Sequence, residues 1–505
     1  MRRVLLLLIS TMLFSMATTF ADDGGTTGPL TWTFTTATGT LTISGNGDMP
    51  DYFDCQGTPW YQYQNSITAI NIGSGVLKIG NNAFCNCAIT SIIIPGNVNF
   101  IGRAAFSFCG NLQNVKIDYA FLPLSFDAGW VSSDAPSYRA FYESSIGNLQ
   151  LLRNISYNDR YKPFEENQKL ISLEIGDKVT YIDIGCFSGC AELISVEFGS
   201  ELEEIRDDSF KGCTKLPSVE CGSKCSMGNN AFYGCTKLVN AIISEVTKIG
   251  DNAFCGTGLT SITIPGTVTS IGRAAFSFCG NLQNVIIDYG FQPLTFDAGW
   301  VSSDAPSYRA FSEGSIGNLQ LLRNIEYNDR YKPFEDNRKL TSLEIGEKVT
   351  SIGYGCFSGC SSITKITSHP CPPPIITYNT FSGVNKEIPV YVNCCSAYQA
   401  EQYWNGFTNY WSIDAQEQCG VGIEYITSPQ FLISPNPTTG ELKMENGKLK
   451  IENVIIFDVY GRELLFHTSS TSSKMTIDIS HFSAGIYFVK IHTETGEVVR
   501  KVLKE

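Results

Sequence analysis

Eighteen cysteines, four histidines and a set of evenly spaced glutamates are the residues of this chain whose types could do chemistry. A thiolate beside a histidine makes a nucleophile, and clustered Cys and His residues hold zinc. Cys186/Cys190 and Cys356/Cys360 are close pairs, but a structural zinc site needs a second such pair or histidines, and His369 is the one histidine before His467. His369 and Cys371 lie two residues apart in His369-Pro370-Cys371-Pro372-Pro373-Pro374, which reads more simply as a constrained capping loop than as a Cys–His pair. Glycine-rich phosphate loops and HExxH sites are absent from the sequence. Acid–base catalysis needs a base of near-neutral pKa beside its partner. The shortage of histidine therefore points away from an enzyme, and no catalytic, cofactor-binding or metal-binding residue is assigned.

The cysteines follow a rule of their own. Cys87, Cys109, Cys190, Cys213, Cys235, Cys279 and Cys360 each stand three residues after a phenylalanine, and Asn167, Asn337 and Thr257 take the same position elsewhere. A site that accepts Cys, Asn or Thr wants a small, buried, weakly hydrogen-bonding side chain, and free cysteine behaves as a small hydrophobe. A stacked ladder of thiols is predicted. Cys371, Cys394 and Cys395 stand off this ladder and are candidates for disulfides.

What positions these residues is a 23-residue pulse, L-x-S-L-E-I-G-x-x-V-T-x-I-G-x-x-x-F-x-G-C-x-x, clearest at Leu170, Leu193 and Leu340. A repeat of that length, opening with spaced aliphatics, marks one strand-plus-turn unit per copy, stacked into a solenoid. Coil starts are placed at 67, 89, 112, 149, 170, 193, 216, 238, 259, 282, 319, 340 and 363. Thirteen strands at ~4.8 Å would make a column of about 60 Å. Within a coil, positions 1, 4 and 6 (Leu170, Leu173, Ile175) should point inward and positions 3 and 5 outward. The phenylalanines Phe106, Phe187, Phe210, Phe232, Phe276 and Phe357 should stack as a second spine.

The fold expected is mainly β: a solenoid with an N-terminal β-hairpin cap, then a small immunoglobulin-like β-sandwich. Residues 1–21 read as a secretory signal peptide, with Arg2 and Arg3, an apolar run, and cleavage between Ala21 and Asp22. Residues 22–66 alternate as a hairpin cap. The repeat array covers 67–414, with a C-terminal cap from about 363; residues 415–432 form a linker. Residues 433–505 lose the pulse and show short alternating strands. A longer period lies above the first: residues 76–190 recur at 246–360 with an offset of 170, so that Ile101–Val115 equals Ile271–Val285. Identity between the copies reflects duplication and carries no information about constraint.

Two groups of outward residues are candidate ligand contacts. Glu174, Glu197 and Glu220 occupy position 5 of three successive coils and should stack about 5 Å apart, a seat for a cation or a basic partner; a copied, solvated repeat residue is the simpler account. Trp130 and Tyr138, with Trp300 and Tyr308 in the duplicate, are possible aromatic anchors, or else local loop core.

Composition narrows the partners. Lys plus Arg total 36 against 49 acids, a net charge of −13, which repels nucleic acid and anionic lipid. No stretch after the leader approaches the roughly 18 apolar residues of a membrane helix.

The coils Ile94–Cys109 and Ile264–Cys279, reading I-P-G-x-V-x-x-I-G-x-x-A-F-x-x-C, resemble the BspA-like leucine-rich repeats of bacterial surface proteins. The lead-in Leu41-Thr42-Ile43-Ser44-Gly45-Asn46-Gly47-Asp48-Met49-Pro50 and Pro59-Trp60 resembles that family's N-terminal cap, and Pro389–Val392 with Tyr403-Trp404, Phe407 and Trp411 resembles its exit. The tail resembles the type A sorting domain of the type IX secretion system, through Pro435-Asn436-Pro437, Val459-Tyr460-Gly461-Arg462, Ala484-Gly485-Ile486-Tyr487 and Lys501–Glu505. The resemblance implies export across the outer membrane by that machinery, removal of the tail, and attachment to the cell surface or release. It further implies binding to proteins or glycans of a host or partner cell, without a cofactor. A passive coat or spacer is the alternative reading, and a secreted enzyme a more distant one.

Overall fold

The computed structural model describes residues 22–126, 139–157, 162–222, 224–296, 309–327, 332–419, 431–446, 450–468, 474–493 and 496–505. They form two compact units that divide between Thr408 and Asn409. The signal-peptide segment through Ala21 lies outside the described residues, and Asp22 is the first residue within them.

In the first unit, each coil contributes a leading strand whose alternation sends two aliphatics inward. Leu173 and Ile175 of strand Ser172–Ile175 are buried, as is Leu170 before it. Neighbouring leading strands pair in parallel and in register, so Asn148, Leu149, Gln150 and Leu151 face Ser172, Leu173, Glu174 and Ile175. That register corrects two coil starts. Leu149 and Leu319 match the fourth position of their neighbours, Leu173 and Leu343. The fourth and eleventh coils therefore open at Ile146 and Ile316, both buried, three residues earlier than spacing alone suggests.

A second, shorter strand follows in most coils and builds its own parallel ladder, for example Glu204–Ile205 between Tyr181–Ile182 and Ser226–Met227. Where this ladder stops after Ile155–Ser156, the Asn154 side chain replaces it, accepting from Thr180 N at 2.9 Å and donating to Thr180 Oγ1 at 2.8 Å.

The third side of each coil is a pair of turns. Two residues four apart take left-handed conformations, with φ of 63° at Gly185 and 73° at Gly189. Only glycine enters that region without a steric penalty; Gly355 and Gly359 repeat the pair, while other coils set Asp208, Asn230 or Ala104 at the first of the two positions. These turns are also laddered: Phe187 N donates to Ser209 O at 2.9 Å and Phe210 N to Ala231 O at 2.9 Å.

The core is one continuous aromatic column. It begins at Trp60, runs through Phe84, Phe106, Phe141, Phe164 and onward to Phe357 and Phe381, and ends at Trp404. Both terminal tryptophans are buried, and each indole N–H has a carbonyl partner: Ala83 O at 2.9 Å for Trp60 and Pro374 O at 2.7 Å for Trp404. A buried Trp whose polar edge is satisfied closes the apolar column without an orphan donor. Phe141 and Phe311 carry the column through the irregular coils, where the repeat is too diverged to reveal them.

The thiols stand beside this column. Cys109, Cys190, Cys213, Cys235, Cys279 and Cys360 donate to the carbonyls of Phe84, Phe164, Phe187, Phe210, Phe254 and Phe334 of the preceding coil, at 3.2–3.3 Å. Thr257 donates instead to Phe254 O of its own coil, at 2.9 Å.

The N-terminal cap has an antiparallel run of three strands rather than a single hairpin, and a short fourth strand, Gly47–Asp48, that pairs with Val76–Ile79. Leu30–Thr35 pairs antiparallel with Thr40–Gly45 and with a preceding strand, Asp23–Thr27. Thr40–Gly45 then pairs in parallel with Ala69–Ile72, handing the sheet to the first coil. Disulfide Cys55–Cys85 ties the cap to the array, and Cys371–Cys394 lies near its other end. Cys395 is also disulfide-bonded. Among the described residues the single α-helix is Cys395–Ala400.

The leading strands divide into separate ladders, and proline explains the division after Ser195–Glu197. The residue at position 2 donates its N–H to the previous coil, as Ile171 does to Gly147 O at 2.7 Å and Ile194 to Ile171 O at 2.9 Å. Pro217 stands at that position without an N–H. Strands Ser195–Glu197 and Ser218–Glu220 accordingly belong to different ladders.

In the second unit, strands Phe431–Ser434, Glu441–Asn446 and Lys474–Asp478 form one antiparallel sheet; Glu463–Thr468, Ile451–Phe457, Gly485–Thr493 and Gly496–Lys504 form another. Leu442, Met444, Ile477, Val454, Ile456, Val489, Ile491 and Val502 make their shared core. This is a small sandwich of the immunoglobulin-like kind.

Candidate functional site

Parallel pairing in register turns each outward position of the coil into a column. Position 3 gives Ser91, Asn114, Asn148, Ser172 and Ser195; position 5 gives Ile93, Lys116, Gln150, Glu174 and Glu197. The side chains are tied to one another across strands. Asn148 Nδ2 donates to Asn114 Oδ1 at 2.9 Å, Ser172 Oγ to Asn148 Oδ1 at 2.7 Å, and Gln150 Nε2 to Glu174 Oε2 at 2.6 Å. Together they floor a shallow depression of about 430 Å³. The duplicate repeats the arrangement, with Asn318 Nδ2 on Asn284 Oδ1 at 2.9 Å and Gln320 Nε2 on Glu344 Oε2 at 2.8 Å. There the glutamate has a further partner, since His369 Nε2 lies 3.1 Å from Glu344 Oε1.

The three-glutamate stripe forms in part. Glu174 and Glu197 are register partners on adjacent strands. Glu220 belongs to the ladder beyond Pro217, where it faces Ile242. The column that Glu174 and Glu197 share also contains a lysine and an amide, so its charge runs from basic at Lys116 to acidic at Glu197. Lys116 pairs with Asp118 at 2.9 Å. A fourth coil start at 149 hides Gln150 and Asn148, because it sets neither of them at positions 5 and 3, where the register places them. Lys116 stood in plain register, but a search for like charges passes over it. Trp130, Tyr138, Trp300 and Tyr308 lie outside the described residues.

The duplication also builds one turn-side cavity twice, of about 450 Å³ beside Arg139 and about 400 Å³ beside Arg309. Beside each lies a partly buried cluster: Arg139 with Glu165 at 2.5 Å and Lys162 with Glu165 at 3.3 Å, matched by Arg309 with Glu335 at 2.5 Å and Lys332 with Glu335 at 2.9 Å. The arginine–glutamate pairs join side chains of successive coils, which makes the cluster a brace between them.

Burial removes the thiols from chemistry. It pushes Cys109, Cys190 and Cys360 up to about 12 and Cys186 well above the ordinary thiol range. A protonated thiol is neither nucleophile nor metal ligand at neutral pH. Cys371 has no thiol to offer His369, because its sulfur is bonded to Cys394. Among the described residues no three Cys, His, Asp or Glu side chains are grouped to hold a metal ion. No helix there is long and apolar enough to cross a membrane.

A parallel β-solenoid with an aliphatic strand side, an aromatic spine and laddered turns defines a leucine-rich-repeat protein. The family model described as the BspA type leucine rich repeat region matches residues 58–124, 136–216, 158–283 and 306–391, and the chain belongs to that family. Residues 432–505 match a secretion system C-terminal sorting domain. The protein is thus a leucine-rich-repeat protein of the surface type whose tail marks it for secretion to the cell surface or beyond. Among solved structures, a leucine-rich repeat protein of Bacteroides ovatus is 19% identical, with 76% of this chain and 98% of that one covered and a TM-score of 0.36. A leucine-rich repeat protein of Eubacterium ventriosum is 21% identical over 72% of this chain and 95% of that one, with a TM-score of 0.28. A leucine rich cell surface protein of Faecalibacterium prausnitzii is 20% identical over 77% and 98%, with a TM-score of 0.26. No curated protein matches the chain.

Proposed function

We propose that the protein is a non-enzymatic adhesion module, exported through the type IX machinery after loss of the segment ending at Ala21, which binds a partner protein on a host or neighbouring cell through its strand face. The observation that carries this reading is the pair of outward columns around Asn148 and Glu174. Their side chains are held in place by bonds across strands, so a partner can meet them without a large ordering cost. Glu174 and Glu197 are the seat for a basic side chain of that partner, and Lys116 at the other end of the column sets its polarity.

The test is saturable binding of the tail-less mature protein to host matrix proteins or partner cells. Changing Glu174→Gln and Glu197→Gln together should weaken binding while the melting temperature holds. Binding that never saturates supports a passive coat instead. The export half of the proposal is tested separately by deleting 433–505, which should leave the protein in the periplasm; normal surface display of that truncation would refute it.

A further inference from the structure

Beyond the strand face, we propose that Tyr119 with Phe121, and Tyr289 with Phe291, are two copies of a binding site for a neutral polysaccharide. Phe121 is 93% exposed and Phe291 is fully exposed, each next to a half-exposed tyrosine. The Tyr119 and Phe121 rings meet edge to face with centroids 5.5 Å apart. Apart from the edge contact with its tyrosine, the Phe121 ring is left in water by the fold, which keeps its apolar faces open to a contact from outside the chain.

Both loops are fixed. Asp118 N donates to Ile94 O at 2.9 Å and Asp288 N to Ile264 O at 3.0 Å. The loop backbone lies directly on the glycine of the preceding coil's turn: a Cβ at Gly96 would sit 2.3 Å from Tyr119 O, and one at Gly266 would sit 1.9 Å from Tyr289 O. That turn is itself anchored by a buried arginine, Arg153 on Val98 O at 2.7 Å and Arg323 on Pro265 O at 3.0 Å. The rings therefore stand on a rigid base and lose little freedom on binding.

The chemistry selects the occupant. A pyranose offers an apolar C–H face to stack on a ring and hydroxyls to bond a carboxylate oxygen at the root of each loop, where Asp118 shares its carboxylate with Lys116 at 2.9 Å and Asp288 with the Tyr289 N–H at 2.7 Å. A net charge of −13 disfavours sulfated or uronic polymers. Two rings cover far less than the roughly 800 Å² per side of a stable protein interface. The two sites are seven coil steps apart, about 34 Å at ~4.8 Å per step. An extended polymer of repeating sugars can engage both at once and gain roughly 10²-fold or more in avidity.

Native electrophoresis through gels cast with hydroxyethyl cellulose, a galactomannan or a mannan tests this, with heparin as the anionic control. The mature protein should be retarded in at least one neutral gel and not by heparin. Phe121→Ala or Phe291→Ala alone should weaken retention by about 10²-fold through loss of bivalency, and the double variant should migrate freely with an unchanged melting temperature. Free migration of the wild type in every neutral gel, or full retention of the double variant, overturns the proposal. So does loss of a captured protein partner in the double variant without any polysaccharide effect, which would make the rings a protein contact. The Glu174→Gln/Glu197→Gln variant keeps both aromatic pairs and should keep its polysaccharide retention, so the strand-face reading and this one can fail independently.

Discussion

Phe210 and Phe232 stack with ring centroids 5.3 Å apart and planes 2° from parallel. Every coil adds one such ring, so the column is only as sound as its weakest step. Phe232→Ala leaves a cavity that two neighbouring coils cannot close, because their backbones are tied by Phe210 N–Ala231 O and Phe232 N–Ala253 O bonds of 2.9 and 2.7 Å. The expected cost is about 3–5 kcal/mol, read as a lower urea midpoint, with hydrogen-exchange protection lost first in the coils around residue 232.

Arg153 is buried and bonds only backbone carbonyls, those of Val98, Gly96 and, at longer range, Pro95. Burial pulls its pKa down to about 10, and Asp118 acts in the opposite sense. Arg153→Ala orphans those carbonyls and should destabilise by roughly 1.5–3 kcal/mol, the range for a hydrogen bond from a charged donor. Thermal melting of Arg153→Ala and Arg323→Ala should show losses of similar size, since Arg323 holds the equivalent carbonyls of Pro265 and Gly266 at 3.0 and 3.2 Å.

The thiol ladder makes stability depend on alkaline pH. The ordinary thiol value is near 9.0, and burial raises Cys190 and Cys360 to about 12 in the folded chain. A group whose folded pKa lies above its unfolded one contributes fully below the unfolded value and loses that contribution as pH rises toward the folded one. Stability should therefore hold to about pH 9 and fall between 9 and 12. Cys190→Ser, which keeps a donor for Phe164 O but cannot titrate there, should flatten that fall when urea midpoints are compared across the range.

Phe278 occupies a left-handed turn position, with φ of 58°, where Gly256 and Gly359 stand in other coils. Its ring is 55% exposed, so little packing offsets the strain of about 1–2 kcal/mol. After allowing for glycine's greater freedom in the unfolded chain, Phe278→Gly should stabilise by roughly 0.5 kcal/mol. A small rise in melting temperature would show it; a clear fall would mean the ring has a packing role.

The sequence by itself determined the solenoid, because the 23-residue pulse places Leu173, Ile175 and Phe187 on inward positions and no other arrangement buries all three in every copy. It also determined the thiol ladder, since a position that takes Cys, Asn or Thr has one physical meaning, and the tail, where the pulse gives way to plain alternation. What it could not set was register through the diverged coils: Ile146 and Phe141 lie in stretches where spacing no longer matches the consensus, and hydrogen bonding between neighbouring strands decides where they fall. The strand face depended on that register, so Gln150 joined Glu174 only in three dimensions. Pro217 is visible in the sequence as a single residue, yet that it ends the strand ladder between Glu197 and Glu220 follows from the role of the missing N–H between coils. Periodicity is a local property and survives in one dimension; adjacency between coils is a property of the pairing, and only the folded chain supplies it.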